Sequence, residues 1–399
     1  MLQSKDFKVA IVGGGMCGLA CAVGLRRAGI PVDIFESTVG PNALRALKGL
    51  GLLDSLVARQ SERGALSSFQ FRSGLADREF TYDYPCAPED VGMTIHRAMF
   101  HSAMLDSLDS SIIHMNKRCL SVTKNSRSTY TIKFTDGTSH EAEVIIGADG
   151  IRSAVRESII ETDQRYPVYT GTTAYRGLIK RERLNEAGFK THLERPICFL
   201  GTHKHLIVYP IKAGELINVV VFATGSKATL PTATSREEEH LLSQFSDWNQ
   251  DVKAMIQCME QPSKWPLHEL DPPLRTFVSD RVALIGDAAE FAQGIEDVYV
   301  LCELLGHPQT KLSNVKDVIQ AYDRVRVPRA TDVSNRSKFT GEVFQGHGLP
   351  DRTDEETLAG LTNMWAPLWY HDLEADKAEA FNWLEEAGIF VPKDVATGA

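Results

Sequence analysis

The chain has 399 residues, of which 43% are hydrophobic and 24% charged, and its formal net charge is -9. This length allows a large core and two or three domains. The negative charge argues against nucleic acid and anionic membrane surfaces as partners, because no basic field is available to neutralise phosphates. The seven cysteines are scattered without metal-ligand spacing, so no metal site is predicted. No apolar run is long enough to cross a bilayer and no signal peptide pattern is found, so a reducing, cytoplasmic location is expected.

The N-terminal segment predicts a strand, a glycine turn, a helix and a second strand. The first strand covers Val9–Val12 and stops at Gly13, after which an amphipathic helical pattern begins. The turn carries Gly13, Gly15 and Gly18 in the spacing of a dinucleotide-binding fingerprint. In that fingerprint the first glycine turns the chain, the second lets a pyrophosphate approach the backbone, and the third lets helix and strand pack closely. The alternative is a glycine-rich turn with a purely structural role.

Glu36 ends the second strand and extends the same motif. A carboxylate about twenty residues after the glycine turn can accept hydrogen bonds from an adenosine ribose. An acidic residue there disfavours a 2′-phosphate, so FAD or NAD is the predicted tightly bound dinucleotide. The helix N-terminus would direct its unpaired N–H groups at the phosphates.

The next part of the chain alternates short elements. The sequence predicts a helix at 41–51, two strands within 66–84 around a turn at 73–74, a helix from 94 to about 108, a strand and a hairpin within 112–144 with its turn at 135–137, and a buried strand from 144 followed by a helix at 153–159.

Extended segments then dominate, at 169–179, 197–201, 205–210 and 216–224, and predict a second, mainly antiparallel sheet with a helix at 235–259. A short buried strand is predicted at 281–287. It resembles the strands of the N-terminal segment, which indicates that the chain re-enters the first domain here. It precedes a long helix at 315–344 that should break at Pro328, and one or two helices within 355–387. We therefore assign 5–165 to the first part of a nucleotide-binding domain with a substrate-sheet excursion near 64–90, 166–267 to a substrate domain, 268–345 to the return of the first domain, and 346–399 to a C-terminal helical segment.

Three separated stretches resemble one family. They are the glycine turn with Glu36, the run Gly147–Gly150, and the run Leu284–Ala289. Their combination and order resemble the FAD-dependent aromatic hydroxylases with the fold of p-hydroxybenzoate hydroxylase, in the salicylate-hydroxylase-like branch, over essentially the whole chain. The resemblance implies an α/β fold: a Rossmann-like FAD-binding domain with a parallel sheet, an inserted mainly antiparallel β substrate domain, and C-terminal helices. It also implies FAD as cofactor, with NADPH or NADH as a transient co-substrate, since only one complete fingerprint is present.

The resemblance gives roles to three further residues near the cofactor. It implies that the turn at Asp149 supports the flavin, that Asp287 meets the ribityl and pyrophosphate portion, and that Arg97 touches the flavin side. From the residues alone, Asp287 is equally compatible with ordinary turn chemistry, and Arg97 is better read as a solvated helix charge.

A narrower resemblance concerns the extended segments. The stretches around Arg176 and Tyr209 resemble the fungal dearomatising phenol monooxygenases, such as 3-methylorcinaldehyde monooxygenases of tropolone pathways and azaphilone-pathway relatives, and imply that these two residues hold a substrate phenolate. A guanidinium near a phenol lowers its pKa, which makes the ring more nucleophilic. Without the resemblance, an ordinary ion pair for Arg176 and packing for Tyr209 are favoured. His205 has the same strand parity as Tyr209 and is a weaker pocket candidate, with a satisfied surface histidine as the alternative.

The chain departs from the family pattern in two places. After Ala289 the family continues with a histidine, a proline and several glycines, whereas here Glu290–Gly294 leads directly to Ile295. The link from Glu36 to Pro41 likewise lacks a glycine-rich loop. Either residues are missing from this sequence, or both segments are true deletions that would abolish oxygen chemistry. The mass of the intact protein distinguishes these cases.

The resemblance as a whole implies an NAD(P)H- and FAD-dependent monooxygenase. Its substrates would be O2 and a small phenolic polyketide such as a resorcinol aldehyde, which it would hydroxylate, with dearomatisation, through a flavin C4a-hydroperoxide. Two alternatives are a flavoprotein reductase or dehydrogenase that does not oxygenate, and a degenerate flavin-binding protein without catalysis. The sequence does not determine the oligomeric state.

Overall fold

The computed structural model describes residues 5–36, 65–66, 68–85, 92–93, 97–125, 129–159, 167–225, 241–259, 262–290 and 293–392. The predicted helix at 41–51 lies outside these ranges. The described strands are Val9–Val12 (β1), Val32–Glu36 (β2), Ala65–Leu66 (β3), Gln70–Ser73 (β4), Thr81–Asp83 (β5), Gly92–Met93 (β6), Ile113–Met115 (β7), Cys119–Lys124 (β8), Tyr130–Phe134 (β9), Ser139–Ala142 (β10), Val144–Gly147 (β11), Pro167–Lys180 (β12), Ile197–Gly201 (β13), Lys204–Ile211 (β14), Leu216–Thr224 (β15), Ser263–Leu270 (β16), Val278–Ser279 (β17) and Val282–Leu284 (β18). The described α-helices are Met16–Arg27 (α1), Arg97–Asp106 (α2), Arg181–Glu186 (α3), Gln250–Cys258 (α4), Gly294–Gly306 (α5), Val315–Gly346 (α6), Asp354–Leu361 (α7), Ala366–Trp369 (α8) and Leu373–Glu386 (α9).

The first sheet has the strand order β17-β18-β11-β1-β2-β7, and its pairings are parallel except for that of β17. All four side chains of β1 are buried, as expected for an apolar strand in the middle of a parallel sheet. Val12 pairs with Gly147 on one side and with Phe35 on the other. The carboxyl ends of β1, β2 and β11 therefore meet at one edge of the sheet. The predicted strand, glycine turn, helix and second strand are confirmed.

The second large sheet has the order β16-β12-β15-β14-β13-β4-β5 and is antiparallel apart from the β13–β4 pair. The four extended segments predicted between 166 and 267 all form strands of this sheet, and the predicted pair within 66–84 joins its edge. One face packs on α3, α4 and the buried Trp248. The other face meets Phe344 near the end of α6 and the aromatic residues Trp365 and Trp369.

Of the helix predicted at 235–259, residues 235–240 lie outside the described ranges, residues 241–243 are helical as predicted, and the prediction is wrong for residues 244–249. The chain makes tight turns there, and α4 starts only after Asn249, whose side-chain oxygen accepts a hydrogen bond from Val252 N at 3.0 Å. Trp248 lies in this stretch and is fully buried against Gly74, which follows β4, and against Gly201, the last residue of β13. A Cβ on Gly74 or Gly201 would lie 2.1 or 2.4 Å from the Trp248 ring.

The helix predicted to break at Pro328 continues without interruption as α6. Proline lacks the N–H that would bond to the carbonyl one turn earlier, at a cost of about 3 kcal/mol. Flanking contacts offset that cost, since Arg326 and Arg329 bind carboxylates of neighbouring helices. Tertiary ion pairs therefore override the local preference.

Two smaller predictions also need correction. The helix predicted at 153–159 is a single 3-10 turn, Arg156–Ser158, and the chain before it forms a loop in which the Asp149 carboxylate accepts from Ala154 N and the Ser153 hydroxyl accepts from Arg156 N. The C-terminal part contains three helices rather than one or two, beginning with a capping box in which Thr353 and Glu356 bind each other's backbone N–H. The hairpin predicted around 135–137 is confirmed by the pairing of β9 with β10.

Candidate active site

Three predicted cofactor residues follow strands of the parallel sheet at its carboxyl edge. Gly13 follows β1, Asp149 follows β11 and Asp287 follows β18, while Glu36 is the last residue of β2. Because β1 lies between β2 and β11, this edge contains the point where successive connections run in opposite directions. Open α/β sheets bind dinucleotides at such a point.

The three glycines of the turn have the space that each fingerprint position requires. Gly13 has φ +109°, and a Cβ there would lie 2.2 Å from the Ala148 carbonyl oxygen. A Cβ on Gly18 would lie 1.9 Å from the Gly13 carbonyl oxygen, so only glycine lets α1 approach the strand. A Cβ on Gly15 would meet nothing within 4 Å. The open side of Gly15 is where the pyrophosphate of FAD would approach, so these residues fit the cofactor.

Glu36 is buried directly beneath this turn. Its Oε2 accepts a hydrogen bond from the backbone N–H of Gly14, and a Cβ on Gly14 would lie 2.8 Å from Glu36 Cβ. The carboxylate thus holds the glycine turn in addition to its predicted role toward a ribose, which stays a prediction.

Asp149 is directed into the protein and organises its own turn. Its carboxylate accepts hydrogen bonds from Ser153 Oγ at 2.5 Å and from Ala154 N at 2.7 Å. Burial raises the pKa of Asp149, while these hydrogen bonds oppose the shift. Asp149 can therefore act on a cofactor through the turn that it holds in place, which includes Gly150 with φ +78°. Arg97 is the first residue of α2, and its side chain lies outside the described part of the structure.

Arg156 connects two of the motif turns and was missed by the sequence reading. Its guanidinium donates hydrogen bonds to the Ile151 carbonyl at 2.5 Å and to the Ala288 carbonyl at 3.2 Å. The side chain is buried, and this burial lowers the pKa of Arg156. An arginine close after the Gly147–Gly150 run was the available signal, but only the fold places it beside Ala288.

Asp287 lies in a turn held by the start of α5. The residue is exposed at the surface, but the protein atoms around its carboxylate displace part of the water that would solvate the charge. This desolvation raises the pKa of Asp287 above the ordinary value. The preceding Gly286 donates its N–H to Asp297 Oδ2 at 3.0 Å. A Cβ on Gly294 would lie 2.6 Å from Gly286 Cα and 2.3 Å from Cys17 Sγ. The first residue of α5 therefore packs directly on the Asp287 turn and on the first turn of α1.

Arg176 and Tyr209 lie on the same face of the antiparallel sheet. Arg176 pairs with Val220, and Val220 pairs with Ile207, two residues before Tyr209. Paired residues share a face and so do residues two apart along a strand. We call the side that carries Arg176, Val220, Ile207 and Tyr209 the Arg176 face.

The two side chains interact electrostatically on this face. Arg176 is exposed and Tyr209 is partly buried. Burial raises the pKa of Tyr209, and the positive charge of Arg176 opposes that rise. The structure thus brings the predicted pair into one neighbourhood, at a surface that a ligand can reach.

His205 also lies on the Arg176 face, but it is not a surface histidine. It is 7% exposed, stacks on Phe222 with ring centroids 4.4 Å apart, and meets the ring of Phe344 edge-on at 5.2 Å. Burial lowers its pKa to about 3. The imidazole is therefore neutral at ordinary pH and contributes an aromatic surface, not a charge.

Two features are absent from the described residues. No group of three or more His, Cys, Asp or Glu side chains in these ranges could hold a metal ion. No helix described in the structure combines the length and apolar character needed to cross a bilayer.

Residues 6–337 match the family model described as "FAD binding domain". The chain belongs to this family. Within the FAD-binding family it is similar to the salicylate hydroxylase of Pseudomonas putida, with 34% identity over 94% of this chain and 94% of that one. The 6-methylsalicylate 1-monooxygenase of Aspergillus terreus is 30% identical over 96% of this chain and 93% of the relative.

A solved structure titled "Salicylate hydroxylase substrate complex" has the same fold, with a TM-score of 0.81 and 30% identity over 94% of this chain and 98% of that chain. The predicted fold class and the salicylate-hydroxylase-like branch are confirmed. FAD-dependent aromatic hydroxylation is thus the activity of the family to which the chain belongs.

The alignment with the Pseudomonas putida salicylate hydroxylase extends over 413 positions, more than the 399 residues of this chain. The relative therefore carries residues that have no counterpart here. The departures from the family pattern predict that the missing residues follow Glu36 and Ala289. Both positions adjoin the carboxyl edge of the parallel sheet, which we call the cofactor edge.

A matched pair of alanine substitutions tests the cofactor edge. Gly15→Ala adds a methyl group in open space, and the residue has φ -61°, so the stability of the apoprotein should stay within about 0.5 kcal/mol of wild type. The methyl group would occupy the approach of the pyrophosphate and should raise the dissociation constant of FAD about tenfold or more, measured by quenching of flavin fluorescence.

Gly18→Ala is the contrasting variant. Its Cβ would overlap the Gly13 carbonyl, so urea unfolding of the apoprotein should show a loss of about 3 kcal/mol. Unchanged FAD affinity in a folded Gly15→Ala protein would contradict the assignment of this edge to the cofactor.

Proposed function

We propose that this protein is an NAD(P)H-dependent FAD monooxygenase that hydroxylates a small phenol bound on the Arg176 face. The observation that carries the proposal is the placement of Arg176 and Tyr209 on one accessible face, with the charge of Arg176 acting on Tyr209. Membership of the FAD-binding hydroxylase family supplies the cofactor side of the proposal.

The side chains on this face suit an electrophilic oxygen transfer. When bound, FAD that has been reduced by NAD(P)H would activate O2 for attack on the ring. Arg176 would bind the phenol oxygen and lower its pKa, which makes the ring electron-rich. The Tyr209 hydroxyl would orient the same oxygen, and His205 with Phe222 would offer an aromatic wall at one side.

For the substrate we propose a phenolic polyketide such as a resorcinol aldehyde. If the attacked carbon carries a methyl group, the ring cannot recover its aromaticity and a hydroxy-dienone remains. The similarity to a fungal 6-methylsalicylate 1-monooxygenase supports a small substituted phenol as the class. We place the reaction in the cytoplasm, where the free thiols of the described cysteines would persist.

The test is an assay of the FAD-loaded protein with NADPH, or NADH, and a panel of resorcinol aldehydes. Oxygen uptake, oxidation of the nicotinamide and product mass are measured together. We expect one O2 and one NAD(P)H to be consumed per oxygen atom added to the phenol. Substrate-dependent NAD(P)H oxidation without a product heavier by one oxygen would reject the proposal.

A second candidate is a flavin-binding protein that does not oxygenate, either a reductase or a degenerate member of the family. The favouring observation is the set of aligned positions in the relative that this chain lacks. An intact-protein mass equal to that of 399 residues, together with no NAD(P)H oxidation on any phenol after FAD loading, would favour the degenerate protein. NAD(P)H oxidation with an added electron acceptor but no oxygenated product would favour the reductase.

A further inference from the structure

An unpartnered amide lies on the Arg176 face, between the two residues already assigned to the phenol. Asn218 on β15 pairs with Tyr209 on one side and with Leu178 on the other. Arg176 is two residues before Leu178 on the same strand, so it is a diagonal neighbour of Asn218. In such sheets, Cβ atoms lie about 5 Å apart for direct pairs and about 7–8 Å for diagonal ones.

The amide nitrogen of Asn218 has no acceptor within the described ranges. Nδ2 is buried, and no hydrogen bond satisfies it. A buried donor without an acceptor is unfavourable, and such groups in folded proteins need an explanation. Trp248 Nε1 is also without an acceptor, but it belongs to the core on the opposite face. Asn218 is the case that adjoins the proposed phenol site.

The chemistry of the amide matches a substrate acceptor. Asn218 as a whole is partly exposed, and a half-turn about its Cβ–Cγ bond exchanges Nδ2 with Oδ1 at little steric cost. The donors can therefore be presented to a ligand lying between Arg176 and Tyr209. Strands on both sides fix the Asn218 backbone, so the position of the amide is set by the sheet and not by a loop.

We propose that Asn218 is a specificity-determining residue that donates a hydrogen bond to a second oxygen of the substrate, next to the phenol oxygen held by Arg176. The inference rests on the proposed function and names the residue that would recognise the carbonyl oxygen ortho to a hydroxyl of a resorcinol aldehyde. Because Arg176 and Asn218 are diagonal neighbours on one face, a single small ring with oxygens at adjacent positions can reach both side chains.

The test compares two probes of similar size, salicylaldehyde and 2-methylphenol, of which only the first carries the ortho oxygen. Dissociation constants are measured on the FAD-loaded protein by flavin difference spectra. Wild type should bind salicylaldehyde about tenfold or more tightly than 2-methylphenol. Asn218→Ala and Asn218→Asp should bring this ratio close to one, since aspartate keeps an acceptor but loses the donor. Asn185→Ala, the same change on the exposed side of α3, should leave the ratio unchanged.

A stability measurement separates ligand recognition from a structural role. Asn218→Leu removes the unpartnered amide, so the melting temperature of the ligand-free protein should stay equal or rise. A structural asparagine would instead give a lower melting temperature. Equal wild-type affinities for the two probes, or a preference that survives Asn218→Asp, would overturn the inference while leaving the hydroxylase proposal in place. Failure of wild type to bind any phenol would overturn both.

Discussion

Replacing Arg176 by alanine is expected to lower kcat/KM for a phenol by about 10³-fold while FAD stays bound. An opposite charge within a few ångströms lowers a phenol pKa by about 1–3 units, so its loss removes most of the reactive phenolate near neutral pH. The ordinary pKa of a phenol is about 10, and the activity of the variant should therefore rise with pH up to that value. The measurement is the pH profile of kcat/KM, together with the ultraviolet spectrum of the bound phenol, which reports its ionisation without turnover.

Lys180→Ala is the matched control for this experiment. Lys180 is an exposed cation on the same strand and the same face, two residues beyond Leu178 where Arg176 is two residues before it, but only Arg176 of the two acts electrostatically on Tyr209. Its loss should leave the ionisation of the bound phenol unchanged. If Arg176→Ala binds the phenol as phenolate at the same pH as wild type, Arg176 does not hold the phenol oxygen.

The N-terminal motif shows what could be derived from the sequence. A short apolar run, a glycine pattern and a terminal carboxylate fixed β1, α1 and β2 closely, because each feature is local and has one favourable backbone solution. The inward direction of Asp149 could not be derived in the same way. A Gly-Asp-Gly turn is compatible with a flavin contact, and only the positions of Ser153 and Ala154 show that their O–H and N–H groups use the carboxylate.

The substrate face shows the corresponding limit for sheets. Strand parity predicted that His205 and Tyr209 share a face, but the relation of Arg176 to Tyr209 depends on registers across β15 that the sequence does not state. Asn218 was missed for the same reason, since a polar residue in an alternating strand usually faces water. Only the strand pairing shows that Asn218 lies between Arg176 and Tyr209.

Long-range ion pairs account for the largest error in the helical part. Arg326 is fully buried, and its guanidinium binds Asp297 at 3.0 Å, Glu296 at 2.9 Å and Asp376 at 2.9 Å. Burial opposes its charge, but Asp297 and Glu296 raise the pKa of Arg326 above its ordinary value. These contacts join α5, α6 and α9, and no sequence pattern near Pro328 reveals them.

Arg326→Met is therefore expected to reduce the free energy of unfolding by about 3–5 kcal/mol, because it leaves the buried Asp297 without its counter-charge. Arg336→Met is the matched control: the same substitution in the same helix removes an exposed pair with Asp332 and should cost at most about 1 kcal/mol. Urea unfolding of both apoproteins gives the comparison.

The Arg326→Met variant should also bind FAD more weakly. Asp297 binds Arg326 through one carboxylate oxygen and accepts the Gly286 N–H, in the Asp287 turn, through the other. Once Arg326 is gone, Asp297 is free to protonate or turn away, and the dissociation constant of FAD should rise in the protein that still folds. Asp297→Asn separates the two effects, since it removes the uncompensated charge of the Arg326→Met protein and should recover part of its stability. If the double variant is no more stable than Arg326→Met, the buried charge of Asp297 is not the source of the loss.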